Sequence, residues 1–440
     1  MKNLVSICVL AVLTLWTCNK EETIVLSTCS DGNTYAIDYR PTFFQDSRIW
    51  LTEADGDVGF DEPLSFATFG LQFLNFDDAC EDEYTISFAN YIQGSGSSPA
   101  WIAQNLTVDE YDQVPNGSIL DERGASLTFG TVVNFQPESQ IVVSNCPPID
   151  SVEFWLNSGR DFEGNINQPY IYEYYPEDSV LVVTTDPVQV TATDVTLAVR
   201  REEDGAWLGH NYMLAGSQFD GELPYAELGP LEARTIPVSW PENAVSVELE
   251  LRLITSAVGQ RNNILSFGTE REDAVTVLVD PLTQGLLLVT AAWTDGARFE
   301  MVRVYEQWPT QIDISTQIEA TIGNYNYPSL ELTTSGANIA VIAGTYVRPE
   351  ESEFCFRNFT TPLEEGTQTI RFPNFSPRLR NDQLDRVYEG ALQENTVINF
   401  YHYPGMNGSY SWYLRNVHSQ QGTGQTWLES LEYERLIVPL

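Results

Sequence analysis

Along residues 245–253 every odd position is apolar (Val245, Val247, Leu249, Leu251, Leu253), while the even positions carry Ser, Glu and Arg. A period of two puts one face of a strand on a core and the other in water. Val275, Val277 and Val279 repeat the pattern, as do Val188, Val190 and Ala192. β-Branched runs at 180–183 and 141–143 predict buried strands. Helical periodicity is scarce. The best stretch is 381–392, where Leu384, Val387, Tyr388 and Leu392 share one helical face behind an Asn381 cap. Many short strands punctuated by Gly, Pro, Asn and Asp predict an all-β chain: two or three antiparallel β-sandwich domains in tandem, Ig-like or jelly-roll-like, with very little helix.

A chain of 440 residues is too long for one ordinary core, since roughly 100–200 residues make a domain. Two break points divide it. Cys146-Pro147-Pro148 follows one strand-like run, and residues 281–285 (Pro-Leu-Thr-Gln-Gly) separate two others. The expected β-domains are therefore 29–145, 146–285 and 286–440.

Charge narrows the class of partner. There are 62 acidic residues against 22 basic ones, a net charge of -40, and the only lysines are Lys2 and Lys20. Such a surface repels phosphate backbones, so nucleic acid is excluded as a partner. An acidic, lysine-poor surface is also what chains in salty water carry, because salt screens the self-repulsion.

The N-terminus has the build of an export signal. Lys2 is followed by an uncharged apolar run over 4–16. That run is shorter than the about 20 residues a membrane-spanning helix needs, but it suits a signal peptide. It ends at Leu15-Trp16-Thr17-Cys18, followed by Asn19-Lys20-Glu21-Glu22. The first tetrapeptide resembles a lipobox, and the second resembles the Lys-acidic-acidic export signal of Bacteroidota-type surface-exposed outer-membrane lipoproteins. This resemblance covers residues 1–22 alone. It implies a signal peptide over 1–17, acyl chains on Cys18, a tether over 18–28 and export to the cell surface by Lys20, Glu21 and Glu22. The membrane would then be met through the lipid anchor only. Secretion after ordinary signal cleavage is the competing reading.

Four cysteines remain beyond the signal: Cys29, Cys80, Cys146 and Cys355. In an oxidising compartment they allow two disulfides, Cys29 with Cys80 being the preferred pair, or else free buried thiols.

Candidate chemistry is sparse. The acidic loop at 53–62 places Asp55, Asp57 and Asp61 at alternating positions with glycines between, as a Ca²⁺ site requires. Its match to an EF-hand is partial, and in a chain this acidic a solvated loop is the plainer reading. No other cofactor is indicated. Residues 161–167 form a weaker oxygen-rich loop. In the C-terminal segment, 397–403 and 409–415 flank Pro404-Gly-Met-Asn-Gly408 and predict a hairpin. One of its faces carries Asn399, Tyr401, Tyr403, Tyr413 and Arg415. That set suits ring stacking and hydrogen bonding to a sugar or another planar ligand, though packing against a neighbouring sheet is the plainer reading. Tyr170, Tyr172, Tyr174 and Tyr175 form another aromatic cluster. G-x-S-x-G, H-E-x-x-H and Walker A motifs are absent from the sequence, and there are 3 histidines. These features point to a surface protein that binds a glycan or an outer-membrane protein. The alternatives are a polysaccharide hydrolase with paired carboxylates and a purely structural or adhesive protein.

Overall fold

The computed structural model describes residues 33–39, 46–53, 58–64, 70–76, 83–93, 104–115, 118–122, 139–158, 170–185, 192–213, 221–253, 263–268, 271–279, 285–294, 296–348, 353–373, 396–418 and 432–440. Over these residues the chain is all-β with little helix, and its strands are numbered in chain order.

The largest sheet has 12 strands. Its spatial order is β17 (Asn263–Gly268), β16 (Ser246–Leu253), β19 (Leu286–Thr294), β20 (Ala297–Tyr305), β28 (Tyr433–Pro439), β27 (Thr396–His402), β24 (Ile339–Arg348), β25 (Glu353–Pro362), β6 (Gln104–Pro115), β5 (Glu83–Gln93), β2 (Asp46–Thr52) and β3 (Val58–Leu64). A sheet of 6 contains β18 (Ala274–Val279), β15 (Gly229–Ser239), β13 (Trp207–Met213), β12 (Ala192–Arg201) and β9 (Ile149–Ser158), with β21 (Ile312–Asp313) beside β15. A sheet of 4 contains β10 (Tyr170–Tyr175), β11 (Val180–Thr185), β8 (Ser139–Ser144) and β14 (Gly221–Pro224). Two further sheets have 3 strands each: β22 (Glu319–Asn326), β23 (Ser329–Ser335) and β26 (Gly366–Arg371), then β4 (Gly70–Phe76), β1 (Asn33–Tyr39) and β7 (Ile119–Glu122).

Period-two patterning explains how these sheets stack. Val247, Leu249 and Leu251 of β16 are buried, facing Val275, Val277 and Val279 of β18 in a shared core with Leu288, Phe299 and Met301. Val245, one residue before β16, is exposed. Residues on both sides of 285 thus share one core, and β16 pairs with β19 across that point. A second core lies between the sheets of 4 and 6, where Ile141, Val143, Leu181 and Val183 meet Val152, Leu197 and Val199. Both β8 and β11 alternate: Val142, Val180 and Val182 are half-buried, so these strands have one wet face where the sequence implied full burial. Cys146 is a free thiol inside this core, and burial pushes it up to about 11.

The middle of the large sheet is covered on both faces. On one, Ala340, Ile342, Phe359, Ile398 and Phe400 pack against Leu330, Leu332 and Ile370 of the β22–β23–β26 sheet. On the other, Ile49, Leu51, Ile86, Phe88 and Tyr111 are covered by a short helical segment. That segment is a 3-10 turn at Pro404–Met406, an α-turn at Tyr410–Tyr413 and a π-helical turn at Leu414–His418.

The expected hairpin at 397–415 is therefore half right. Its first arm is β27, but its second arm is helical, and β27 pairs with β24 and β28 instead. Ser409 caps the helical turn, its Oγ accepting from the Trp412 backbone N–H at 3.2 Å. Tyr410, Tyr413 and Leu414 then fall on one helical face, a spacing that alternation at Tyr410, Trp412 and Leu414 disguises. The helix expected at 381–392, the strand residues Val188 and Val190, the loop at 161–167, Cys18, Lys20, Glu21, Glu22, Cys29, Cys80, Asp55 and Asp57 lie outside the described residues.

Candidate functional site

The tyrosine face anticipated from sequence is packed. Asn399, Tyr403 and Tyr413 are buried, and Tyr401 is half-buried. Tyr401 stacks on Tyr403 with centroids 5.5 Å apart, Tyr403 meets Tyr413 at 5.4 Å, and Tyr413 stacks on Tyr410 at 5.9 Å. Burial holds the Tyr403 and Tyr413 hydroxyls well above the usual phenol range. Asn399 Oδ1 accepts from Arg435 Nη2 at 2.8 Å, and Asn399 Nδ2 donates to the Val341 carbonyl at 3.2 Å. Arg435 lies over the Tyr401 ring and pairs with Glu300 at 2.9 Å. These contacts pack the face against its neighbours, the plainer of the two readings the sequence offered. Arg415 is exposed on the helical segment, apart from that stack. In the other tyrosine cluster, Tyr174 donates to the Cys146 carbonyl at 3.1 Å, while Tyr172 and Tyr175 are exposed.

Of the expected calcium loop, the described residues include Glu53 and the stretch from Val58 to Glu62. From Val58 onward the chain is β3, and Asp61 sits in register with Trp50 of β2. Among the described residues no group of His, Cys, Asp and Glu is placed to hold a metal ion.

A different site emerges where the large sheet is interrupted. Between β5 and β6 the register slips: Tyr84 pairs with Val114, but Ile86 pairs with Tyr111. Asp112 and Gln113 therefore oppose the single residue Thr85, a β-bulge in which Gln113 takes φ 53. Bulges break the ladder and re-aim side chains, and they occur beside functional sites. Here the bulge sets a polar row across four neighbouring strands: Thr52 on β2, Thr85 on β5, Asp112 on β6 and Thr361 on β25. Asp112 Oδ1 accepts from Thr85 Oγ1 at 2.7 Å. Its Oδ2 accepts from Thr361 Oγ1 at 3.0 Å and from Gln113 Nε2 at 3.4 Å.

Beside this row lies a cavity of about 300 Å³, lined also by Gln368 to Arg371 of β26 and by Phe372 and Pro373. Glu53, Gln113 and Pro362 complete the wall. Two polar atoms on its lining residues are buried without a hydrogen-bond partner among the described residues: Thr52 Oγ1 and Gln368 Nε2. Gln368 is held the other way round by its Oε1, which accepts from the Glu364 backbone N–H at 3.3 Å.

Sequence reasoning missed this site because its walls come from five separate strands or strand ends. One signal was present. Tyr111 and Val114 face the same core three residues apart, breaking the period of two just where Asp112 and Gln113 are inserted.

No protein-family model matches the chain. No curated protein matches it. Among solved structures, it is similar to a Klebsiella pneumoniae pullulanase complexed with maltotriose, at 10% identity over 61% of this chain and 30% of that one, with a TM-score of 0.12. The chain thus spans 30% of the length of that enzyme, and a likeness of this size bears on neither fold nor activity.

Proposed function

We propose that this chain is a lipid-anchored cell-surface protein with a binding or accessory role, taking a glycan or protein ligand, and that the cavity beside the β5–β6 bulge is where a small polar group is received. The anchor rests on the resemblance of residues 15–22 to the lipoprotein signal. Among the described residues no helix is long and apolar enough to cross a membrane.

The observation that carries binding over hydrolysis is the state of Asp112. A glycosidase needs carboxyl groups free to trade a proton or attack the sugar. Both oxygens of Asp112 already accept hydrogen bonds from Thr85, Thr361 and Gln113, so this carboxylate is held as a fixed acceptor. It organises the hydroxyl row instead of being presented to a reacting atom.

The test has two parts. Cys18→Ala should release the protein into soluble fractions and end its labelling by fatty acid. Neutralising Lys20, Glu21 and Glu22 together should leave it lipidated but protected from protease added to whole cells. Membrane retention with unchanged labelling, or equal digestion of both forms, would remove the surface assignment. For the ligand, the full chain in detergent should be retained by a polysaccharide array or cross-link to a defined outer-membrane protein. Release of reducing sugar from the array, lost in Glu53→Gln, would turn the reading to the hydrolase.

A further inference from the structure

We infer that the cavity beside the β5–β6 bulge is a subsite for one neutral sugar ring, or a polyol of that size, recognised through Thr52 and Gln368. The inference rests on the binding reading above and names the ligand class.

Four observations carry it. The volume of about 300 Å³ is at the lower end of small-molecule sites, which run from about 300 to 1,000 Å³. It suits one ring and not an extended peptide. The wall is unusually rich in groups that pair with hydroxyls. Thr85 and Thr361 spend their protons on Asp112, which leaves their oxygens as acceptors. Gln113 and Gln368 bring amide donors to the same wall. A sugar hydroxyl is both donor and acceptor, so it satisfies both sets at once.

Charge selects against an anion. The lining holds two carboxylates, Glu53 and Asp112, and one guanidinium, Arg371, within a chain of net charge -40. A uronate or phosphate would enter against that field.

The unpaired atoms supply the recognition. Thr52 is 1% exposed, and its hydroxyl has no partner among the described residues; the Gln368 Nε2 amide group is in the same state. A buried polar group without a partner costs stability, and a site built to be completed by a ligand carries such groups. Removing the Thr52 hydroxyl therefore separates binding from folding.

The experiment uses the full chain in detergent and saturation-transfer NMR with D-glucose, D-galactose and D-mannose as probes, and D-glucuronate as the charged control. At least one neutral hexose should bind wild type and Thr52→Ser. Thr52→Val should bind it about tenfold more weakly, the scale of one hydrogen bond, with an unfolding midpoint equal to or above that of wild type. Equal binding by Thr52→Val, or preference for glucuronate, overturns the inference. So does silence from all three hexoses. If the array or the cross-linking partner is positive in that case, the binding role stands and only the sugar subsite falls. If they too are blank, both fall.

Discussion

Arg357 and Glu110 lie 247 residues apart in the chain and meet as a fully buried, two-pronged ion pair, Nε to Oε2 at 2.6 Å and Nη2 to Oε1 at 3.0 Å. The pair spans the parallel junction of β6 and β25. Arg357 also donates to Tyr327 Oη at 3.2 Å and to the Pro373 carbonyl at 3.4 Å, and it lies over the Phe372 ring.

Removing one partner leaves the other charge buried. Arg357→Leu or Glu110→Leu should each cost about 3–5 kcal/mol in a denaturant melt. The double change should cost less than the two added together, because the orphaned charge then disappears. Additive losses would mean that the pair contributes no coupling.

The packed tyrosines make a second prediction. Tyr413 is buried between Tyr403 and Tyr410. Tyr413→Ala should cost about 3–5 kcal/mol, as large aromatic truncations in a core do. Arg415→Ala, on the exposed side of the same segment, should stay within about 0.5 kcal/mol. A neutral Tyr413→Ala in the same melt would reopen this face as a binding surface.

Acid should relieve one strain. Asp109 donates nothing and accepts from Asn358 Nδ2 at 2.9 Å. Burial raises its carboxyl from 3.8 to about 6, the Asn358 hydrogen bond lowers it, and neighbouring Glu110 adds a further raising effect. A carboxyl that binds its proton more tightly when folded penalises the folded state wherever it is ionised. The penalty is full above about 6 and fades as pH falls toward 3.8, the unfolded value. Asp109→Asn should therefore raise the melting temperature at pH 8, with the gain shrinking through that window. A gain that grows on acidification would reverse the sign and refute the account.

Salt should stabilise the whole chain. With a net charge of -40, self-repulsion is long-ranged at low ionic strength. The Debye length falls from about 30 Å at 0.01 M to about 3 Å at 1 M. The melting temperature should rise over that range of NaCl. A flat curve would mean that ion pairs such as Arg435–Glu300 and Arg303–Glu434 already compensate the charge locally.

The strand content was legible because alternation is a local property. Val247, Leu249 and Leu251, and then Val275, Val277 and Val279, bury as their spacing requires. What alternation cannot encode is which strands become neighbours. β16 turns to β19 across the Pro281 break, and β6 finds β25 far along the chain. The segment after Gly408 was misread for a related reason. Its aromatics satisfy both a period of two and an i, i+3, i+4 face, and the Ser409 cap decides between them. The cavity was invisible because Thr52, Asp112, Thr361 and Gln368 share no local motif. A bulge brings them together, and its only trace in the sequence is a skipped beat at Asp112 and Gln113.

The parallel pairing of β6 with β25 also fixes an order of events. A ribosome emits β6 long before Glu353–Pro362 exists, so one edge of β6 waits without its ladder partner while most of the chain is being made. An unsatisfied edge of that length is a template for wrong strands, including those of other copies. Chains cut short before residue 353 should accumulate as aggregates or be cleared, however well their first strands pair among themselves. The N-terminal part of this protein is in that sense a borrower, its fold secured only when the last fifth of the polypeptide begins to arrive.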